Sequence, residues 1–283
     1  MKKILITGKN SYVGMSLEKW LGNYPKSYLI DSISLRNDDW KEKDFSGYDV
    51  VLHVAGIAHI KETKENEDLY YKVNRDLAFE VAQKAKVEGV MQFIFLSSMS
   101  VYGIESGVIN QDTPAKPKSN YGKSKLQAEE LISVLEVECF KVAILRPPMI
   151  YGKGCKGNYI RLANIAVKTP IFPDIDNKRS MIYIDNLSEF IKWIVDNCGR
   201  GLFFPQNSEY VTTTKMVKQI AKAHGKKIWL TRLFNPLFKI KKNNSTVNKV
   251  FGNLVYEETL SKYNNVELNR FIGFEESIRL TED

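Results

Sequence analysis

The sequence predicts an α/β fold in which helices cover both faces of a mainly parallel sheet, a doubly wound arrangement. Two observations support this. Short apolar runs, typical of strands buried on both faces, alternate in the first half of the chain with longer segments of helical spacing. Alternating strands and helices form βαβ units with right-handed crossovers, which build a parallel sheet. A chain of 283 residues suffices for one large domain with a smaller lobe.

The predicted elements follow from these patterns. The predicted strands are Lys2–Thr7, Tyr28–Leu35, Asp49–Ala55, Gln92–Ser97 and Lys141–Leu145. The predicted helices are Met15–Leu21, Leu69–Glu88, Ser124–Leu135, Asn186–Asn197 and Thr212–His224. From about Gly152 the alternation stops, because Gly, Lys, Asn and Pro interrupt short apolar pieces. We therefore expect one domain over residues 1–152 and a smaller mixed lobe over 153–283, with a soft boundary and segments that cross between the two.

Composition excludes several classes of protein. Hydrophobic residues make up 43% of the chain and charged residues 26%, as in ordinary globular proteins. Apolar runs such as Val50–Ala55 are too short to cross a bilayer, and Gly8 and Lys9 interrupt any signal-peptide core. Three scattered cysteines do not suit a disulfide framework or a zinc site. We expect a cytoplasmic, reduced protein without a transmembrane segment.

The chain carries a formal net charge of +8, which suits an anionic partner. The basic residues are spread along the chain, and this pattern disfavours nucleic acid. The densest cluster is Lys239, Lys241 and Lys242, which follows the apolar stretch Leu233–Phe238. We interpret Leu233–Lys242 as a solvated edge with a buried apolar face, and a contact with a membrane surface or a partner is the alternative.

A glycine-containing loop over residues 8–14 joins the first predicted strand to the first helix. A helix N-terminus in this place binds the pyrophosphate of a dinucleotide in a Rossmann-type fold. Gly8 permits the tight turn, and Gly14 lets the helix pack on the sheet. Ser11 replaces the usual middle glycine, which crowds the approach of a phosphate but adds a hydroxyl donor. The expected phosphate-binding residues are Gly8, Asn10, Ser11, Tyr12, Val13 and Gly14; taken alone, the motif also fits an ordinary strand–turn–helix.

The choice between NAD and NADP depends on the end of the second strand. An acidic residue there favours NAD, and a basic residue favours NADP. Asp31 has about the expected spacing for the acid, and Arg36 is the base if the strand runs through Leu35. Both cofactors remain open at this point.

The strongest chemical pattern in the chain is the segment YGKSK at residues 121–125. Tyr121 and Lys125 are four residues apart and share one face of a helix. A nearby ammonium group and the positive nicotinamide ring favour the phenolate, so Tyr121 can accept a proton near neutral pH. Ser98, just after a predicted strand, can orient the substrate oxygen. A surface tyrosine and lysine on an ordinary helix are the alternative interpretation.

Seven segments together resemble the extended short-chain dehydrogenases of the nucleotide-sugar epimerase, dehydratase and reductase group. They are ITGKNSYVG (6–14), VLHVAG (51–56), VN (73–74), FLSSMSVYG (95–103), YGKSK (121–125), LRPPMIYGKG (145–154) and RSMIYIDNL (179–187). The resemblance implies a Rossmann-type fold, NAD or NADP as cofactor and a nucleotide-diphosphate sugar as substrate. It also implies a homodimer and a role in making surface-polysaccharide precursors.

The resemblance assigns roles to individual residues. The implied catalytic residues are Ser98, Tyr121 and Lys125, and Lys125 also holds the nicotinamide ribose. The implied cofactor lining comprises Ala55, Gly56, Asn74 and Pro147, together with Tyr121 and Lys125. The implied substrate contacts are Ser98, Ser100, Tyr121, Asn158 and Arg179. His53 lies inside an apolar strand and is interpreted as a core histidine; with three histidines and no ligand spacing, we expect no metal site.

The residues after Ser98 restrict the reaction. Dehydratases of this group carry an acidic pair directly after the catalytic hydroxyl residue, and here Met99 and Ser100 occupy those positions. Dehydration is therefore disfavoured. A nucleotide-sugar 4-epimerase acting on a UDP-hexose or a UDP-N-acetylhexosamine is narrowly preferred over an NADPH-dependent reductase of 4-keto-6-deoxy sugars. The double proline of LRPPMIYG and Arg36 favour the reductase, and a non-catalytic dinucleotide sensor is the remaining alternative.

Overall fold

The computed structural model describes residues 1–58, 60–233, 235, 248, 250–263 and 271–283. The basic cluster Lys239, Lys241 and Lys242 lies outside these residues, so the predictions for it stay predictions. The strands are β1 (Lys2–Thr7), β2 (Tyr28–Ile33), β3 (Val50–His53), β4 (Gln92–Leu96), β5 (Gly107–Ile109), β6 (Lys141–Leu145), β7 (Met149–Tyr151), β8 (Ile171–Pro173), β9 (Met181–Tyr183), β10 (Gly201–Phe203), β11 (Trp229–Thr231) and β12 (Leu254–Tyr256). The α-helices are α1 (Tyr12–Leu21), α2 (Glu67–Tyr71), α3 (Leu77–Val87), α4 (Asn120–Ser133), α5 (Asn158–Lys168), α6 (Ile184–Asp196), α7 (Thr213–Ala223) and α8 (Phe274–Glu282).

Contacts divide the chain into two compact units of three segments each. Unit 1 comprises residues 1–103, 114–147 and 187–205, and unit 2 comprises 104–113, 148–186 and 206–283. Unit 1 holds a six-stranded sheet in the order β10-β6-β4-β3-β1-β2, and every pairing in it is parallel. The predicted parallel sheet is therefore confirmed.

The strand order places a crevice at the carboxyl ends of the central strands β1 and β3. The chain leaves β1 to form β2 on one side, and then returns to form β3 on the other side of β1. The connections that leave β1 and β3 therefore run to opposite faces of the sheet. At such a point a gap opens outside the carboxyl ends of the two strands, and ligands of open α/β sheets bind there. The loop of residues 8–14 follows β1, and Ala55 and Gly56 follow β3, so both border this crevice.

One core cluster of unit 1 lies between the sheet and the helices α3 and α4. Leu5, Val51, Phe93 and Val142 are in register on adjacent strands and almost completely buried. Small and branched residues of α3 and α4 cover them; these are Ala78, Val81, Ala82, Ala85, Ala128 and Ile132. The alanines allow α3 to approach the sheet closely, because close packing requires small side chains where backbones meet.

Several predicted boundaries differ from the structure, and three of the differences involve specific backbone features. β2 ends at Ile33, because its carbonyl accepts hydrogen bonds from the amides of Gly8 (2.9 Å) and Lys9 (2.8 Å). The predicted helix over Leu69–Glu88 is interrupted by a π-helical segment, Lys72–Asp76, between α2 and α3. α4 begins four residues earlier than predicted, because Ser119 caps it by accepting a hydrogen bond from the amide of Gly122 at 3.1 Å.

Unit 2 is built from short parallel strand pairs and helices. β5 pairs with β12, β7 with β9, and β8 with β11. A buried hydroxyl network joins its segments, in which Tyr151 shares a hydrogen bond with Ser277 at 2.6 Å and accepts one from Asn207 at 3.1 Å. Among the residues described in the two units, no helix combines the length and apolar character needed to cross a bilayer, and no group of acidic, histidine and cysteine side chains could hold a metal ion.

Candidate active site

The loop after β1 makes a tight turn in which two glycines lie too close to neighbouring atoms to carry side chains. Gly8 has a φ of +124°, a conformation that disfavours any side chain, and a Cβ there would lie 2.8 Å from the backbone nitrogen of Ala55. A Cβ on Gly14 would lie 3.0 Å from Cγ2 of Ile6, so this glycine lets α1 pack on β1. Ser11 caps α1 by accepting a hydrogen bond from the amide of Gly14 at 3.1 Å.

The N-terminus of α1 is suited to phosphate. α1 carries no acidic residue in its first turn and begins directly after the loop that follows β1. The first amide groups of a helix are donors to which its own carbonyls offer no acceptor, and they attract anions. The Ser11 hydroxyl already accepts one bond and keeps its proton to donate to an anion. Residues 8–14 therefore fit the pyrophosphate of a nicotinamide dinucleotide.

The loop after β3 borders the other side of the crevice and is held by Asn74. The buried side chain of Asn74 accepts a hydrogen bond from the amide of Ile57 (2.8 Å) and donates to the Ile57 carbonyl and to Ser124 Oγ (both 3.1 Å). A Cβ on Gly56 would lie 2.9 Å from Asn74 Oδ1 and 3.3 Å from Lys125 Nζ. Asn74 lies in the π-helical segment, and such segments are frequent at functional sites.

Asp31 and Arg36 occupy different places on β2. Asp31 pairs with Leu5 inside the strand, and its carboxylate accepts a hydrogen bond from the hydroxyl of Tyr48 at 2.6 Å. Arg36 is exposed and follows the carboxyl end of the strand, which is Ile33. Ligand contacts in such sheets come from residues beyond the carboxyl ends of strands, and Arg36 lies in such a position whereas Asp31 does not.

Ser98 and Tyr121 come together because α4 packs closely on the segment after β4. Ser98 caps a short 3₁₀ helix, Met99–Tyr102, by accepting a hydrogen bond from the amide of Ser100 at 3.1 Å. A Cβ on Gly122 would lie only 2.7 Å from the carbonyl oxygen of Ser100. Pro147, which follows β6, accepts a hydrogen bond from the amide of Met99 at 2.9 Å and so also lies beside Ser98. Sequence reasoning missed Gly122, although its place directly after Tyr121 is the signal that could have found it.

Burial sets the pKa of Tyr121. Burial raises the pKa of the Tyr121 phenol above its ordinary value, and the Ser98 hydroxyl, close enough to hydrogen-bond, works in the opposite direction. The phenol is therefore protonated at neutral pH.

Lys125 is buried beneath the same site. Its Nζ donates a hydrogen bond to the carbonyl of Leu96 at 2.8 Å and lies 4.6 Å from the ring centroid of Phe95. Burial lowers the pKa of Lys125 to about 8, while the charge of Glu129 works to raise it. The ammonium lies 3.3 Å from the position a Cβ would take on Gly56, so it reaches the wall of the crevice.

His53 lies in β3 and is a neutral core residue, as the sequence predicted. Its Nδ1 shares a hydrogen bond of 2.9 Å with Thr7 Oγ1, and its ring stacks on Phe93 and Phe95. Its Nε2 is buried and has no hydrogen-bond partner within the described part of the chain. Burial, with a smaller effect from the charge of Lys125, lowers the pKa of His53 to about 3.

This histidine predicts a specific acid sensitivity. Unfolding frees His53 to titrate near its ordinary pKa, so between about pH 6.5 and pH 3 the unfolded chain binds a proton that the folded protein excludes. Stability should therefore fall as the pH drops through this window, by an amount on the order of 5 kcal/mol for this residue. We expect His53→Leu to flatten this pH dependence of stability, because the variant lacks the titrating imidazole. Thr7, which loses its partner His53, still donates a hydrogen bond to the Leu52 carbonyl at 3.4 Å. Urea unfolding from pH 7 to 4 measures this; an unchanged slope in the variant contradicts it.

The two remaining predicted substrate residues lie in unit 2. Asn158 is the first residue of α5. Arg179 is largely buried, and its guanidinium donates a hydrogen bond to the carbonyl of Gly252 at 3.1 Å. Burial lowers the pKa of Arg179 from its very high ordinary value, and an arginine so placed keeps its positive charge. Ser98, Ser100, Tyr121 and Lys125, in contrast, all lie in unit 1.

Sequence comparison decides the family. A profile of the NAD dependent epimerase/dehydratase family matches residues 4–204, which include both crevice loops, Ser98, Tyr121 and Lys125. The chain belongs to this family. Membership confirms the resemblance seen in the sequence, the prediction that the protein is an enzyme, and NAD(P) as its cofactor.

Individual relatives agree with this assignment. The chain is 31% identical over 273 residues to a UDP-glucose 4-epimerase of Vibrio cholerae, covering 84% of this chain and 82% of that protein. Its fold is similar to that of the UDP-glucuronic acid 4-epimerase of Bacillus cereus, solved with NAD (TM-score 0.72, 20% identity, 99% and 97% of the two chains). It is equally similar to that of the dTDP-4-dehydrorhamnose reductase of Bacillus anthracis, solved with NADP (TM-score 0.71, 18% identity, 99% of each chain). These two structures support the Rossmann-type fold.

Proposed function

We propose that the protein is a nucleotide-sugar 4-epimerase that acts on a UDP-hexose or a UDP-N-acetylhexosamine. The observation that carries this proposal is the similarity to a UDP-glucose 4-epimerase over most of both chains, at 31% identity. The grouping of Ser98, Tyr121 and Lys125 in unit 1 supports it, since an epimerase needs a proton-transfer group at the reacting carbon. A homodimer in the cytoplasm that provides surface-polysaccharide precursors is the setting we propose, on the resemblance to the family.

The residues of unit 1 have separable tasks in this proposal. A bound nicotinamide dinucleotide supplies the hydride acceptor and donor that chemistry at C4 of the sugar requires. In its phenolate form Tyr121 takes the proton from the C4 hydroxyl and then returns it, and Ser98 holds the same oxygen by a hydrogen bond. Lys125, beside Gly56, holds the ribose next to the nicotinamide and adds positive charge under the site. Gly8 and the amides at the start of α1 hold the pyrophosphate.

We propose Arg179 and Asn158 as the residues that bind the nucleotide diphosphate. Arg179 retains its charge despite burial, and a planar guanidinium suits bidentate contact with phosphate oxygens. Asn158, at the start of α5, adds an amide donor near a helix N-terminus. The net charge of +8 favours an anionic substrate of this kind.

A second function, reduction of a nucleotide 4-keto-6-deoxy sugar by NADPH, is supported by Arg36. This residue is exposed and follows the end of β2, whereas Asp31 is a residue of the strand itself and its exposed carboxylate accepts a hydrogen bond from Tyr48. A guanidinium at this place matches the 2′-phosphate of NADP. The raised pKa of Tyr121 also suits a group that begins the reaction as a proton donor.

One experiment separates the two functions. An epimerase ends each cycle with its cofactor unchanged and retains it, whereas a reductase consumes one NADPH per turnover. We expect the purified protein, once denatured, to release NAD⁺ in stoichiometric amount, measured by absorbance and mass spectrometry, and to interconvert UDP-glucose and UDP-galactose or their N-acetyl analogues. A protein that is purified empty and binds NADPH at least tenfold more tightly than NADH would instead establish the reductase. Failure to bind either dinucleotide would exclude both.

A further inference from the structure

Glu62 connects the loop after β3 to the start of α4. One carboxylate oxygen accepts a hydrogen bond from the amide of Asn120 at 3.1 Å, and the other accepts one from the amide of Tyr121 at 3.2 Å. Asn120 and Tyr121 are the first two residues of α4. Amides at this end of a helix have no partner within the helix, so each needs an acceptor from outside.

Ser119 and Glu62 divide this task. Ser119 satisfies the third amide, that of Gly122, in the way that local caps usually do. Glu62 is 58 residues away from Asn120 in sequence, so its contacts tie a separate loop to the helix. A second contact runs beside it, because Tyr71 donates its phenolic proton to the side chain of Asn120 at 3.1 Å.

Charge favours the same arrangement. The positive end of a helix dipole attracts a carboxylate, and α4 carries no acidic residue of its own in its first turn. Glu62 is partly buried, which strengthens an interaction that solvent would weaken at the surface. The negative charge of Glu62 also acts on two nearby phenols. Burial is the largest cause of the raised pKa of Tyr70 and Tyr71, and the charge of Glu62 raises both further.

We propose that Glu62 is a positioning residue that fixes the backbone of Tyr121 relative to Ser98. The opposite side of this turn is fixed by Gly122, packed against the Ser100 carbonyl. Together these two contacts restrict movement of the Tyr121 backbone relative to Ser98. The inference rests on the proposed role of Tyr121 in proton transfer, and misplacing a reacting group by about 1 Å can cost on the order of a hundredfold in rate.

The test compares Glu62→Gln and Glu62→Ala with Glu65→Gln. Glu65 is an exposed neighbour in the same loop, and its change to glutamine removes the same charge without touching α4. We expect Glu62→Gln to lower kcat about 10-fold and Glu62→Ala about 100-fold, because the amide keeps one acceptor oxygen and alanine keeps none. KM for the nucleotide sugar and the Kd for the cofactor should stay close to wild type, and Tm should fall by no more than a few degrees, because a lost helix cap costs about 0.5 to 2 kcal/mol. The limb of the pH–kcat profile that reports the phenol should move in both Glu62 variants and stay fixed in Glu65→Gln.

Tyr121→Phe, measured beside these variants, separates the inference from the proposed function. If Tyr121→Phe loses activity while both Glu62 variants keep the kcat and pH profile of wild type, only the positioning role is overturned. If Tyr121→Phe keeps full activity, the proposed function itself falls. A fall in kcat accompanied by an equal fall in cofactor binding would assign Glu62 to general stability and would likewise overturn the positioning role.

Discussion

Replacing Tyr121 by phenylalanine should lower kcat by about three orders of magnitude, since a positioned acid–base group contributes roughly 10²- to 10⁴-fold. The change removes one hydroxyl from a side chain whose neighbour is Ser98, and leaves the ring to fill the same space. We therefore expect Tm within a few degrees of wild type and a cofactor Kd changed less than twofold. Steady-state kinetics with saturating nucleotide sugar, together with a cofactor titration, measure these quantities.

The pH dependence gives an independent check on the same residue. Because burial raises the pKa of Tyr121, the phenol is protonated at neutral pH in the protein alone. An epimerase removes this proton and returns it within every turnover, in either direction of the reaction, so kcat/KM should rise as the pH increases toward that raised pKa. For the reductase, which only delivers a proton, kcat/KM should be flat near neutral pH and fall at higher pH.

Tyr48→Phe is the matched control for Tyr121→Phe. It deletes a hydroxyl of unit 1 that bonds to Asp31 on β2, away from Ser98, and should leave kcat and its pH profile unchanged. Equal losses in the two variants would show that the effect of Tyr121→Phe does not come from proton transfer.

The parts of the site that the sequence predicted are those that local spacing determines. The loop over residues 8–14 could be recognised because strand, glycine turn and helix are contiguous, and each step imposes its own residue types. Tyr121 and Lys125 are one helical turn apart, so their common face follows from the helix period alone. Ser98 was found because a polar residue directly after a buried parallel strand lies at the edge where such sheets bind ligands.

The contacts that the sequence did not predict join segments far apart in the chain. Glu62 is one charged residue among many in its loop, and only the folded arrangement brings it to α4. The π-helical segment that orients Asn74 has the same apolar periodicity as an ordinary helix, so spacing could not reveal it. At the early end of β2, the amides of Gly8 and Lys9 in the loop after β1 donate to the carbonyl of Ile33. Strand propensity describes single residues and does not encode such a long-range contact.

A buried ion pair below the site is another such long-range contact, and it carries the second large prediction. Arg146 and Glu129 are 9% and 4% exposed, and the guanidinium holds the carboxylate through Nε at 3.0 and 3.1 Å and Nη2 at 2.5 Å. Ser97 donates its hydroxyl proton to Glu129, and Arg146 donates to the Tyr102 hydroxyl at 2.8 Å. The pair thus joins the end of β4, α4, the end of β6 and the 3₁₀ helix that starts after Ser98.

Glu129→Ala should destabilise the protein by about 3 to 5 kcal/mol, because it leaves the Arg146 guanidinium buried without its counter-ion. The double variant Glu129→Met/Arg146→Met removes both charges, and we expect it to recover most of this loss, since apolar pairs of similar volume often replace buried ion pairs at little cost. Urea unfolding of the wild type, the single variant and the double variant at pH 7 measures both values. A loss below 1 kcal/mol in Glu129→Ala would contradict the prediction.

The double variant should regain stability without regaining the dinucleotide affinity of the wild type. This contrast separates the packing role of the pair from its effect on the charge of Lys125. Glu129 raises the pKa of Lys125 against the effect of burial, so its loss lets that pKa fall below about 8 and leaves less of the ammonium charged at neutral pH. The Kd for the dinucleotide should therefore rise between pH 6 and pH 8, and this rise should be larger in both Glu129 variants than in the wild type. If the double variant bound it with wild-type affinity at both values, the pair would serve only packing, and the charge of Lys125 would not depend on it.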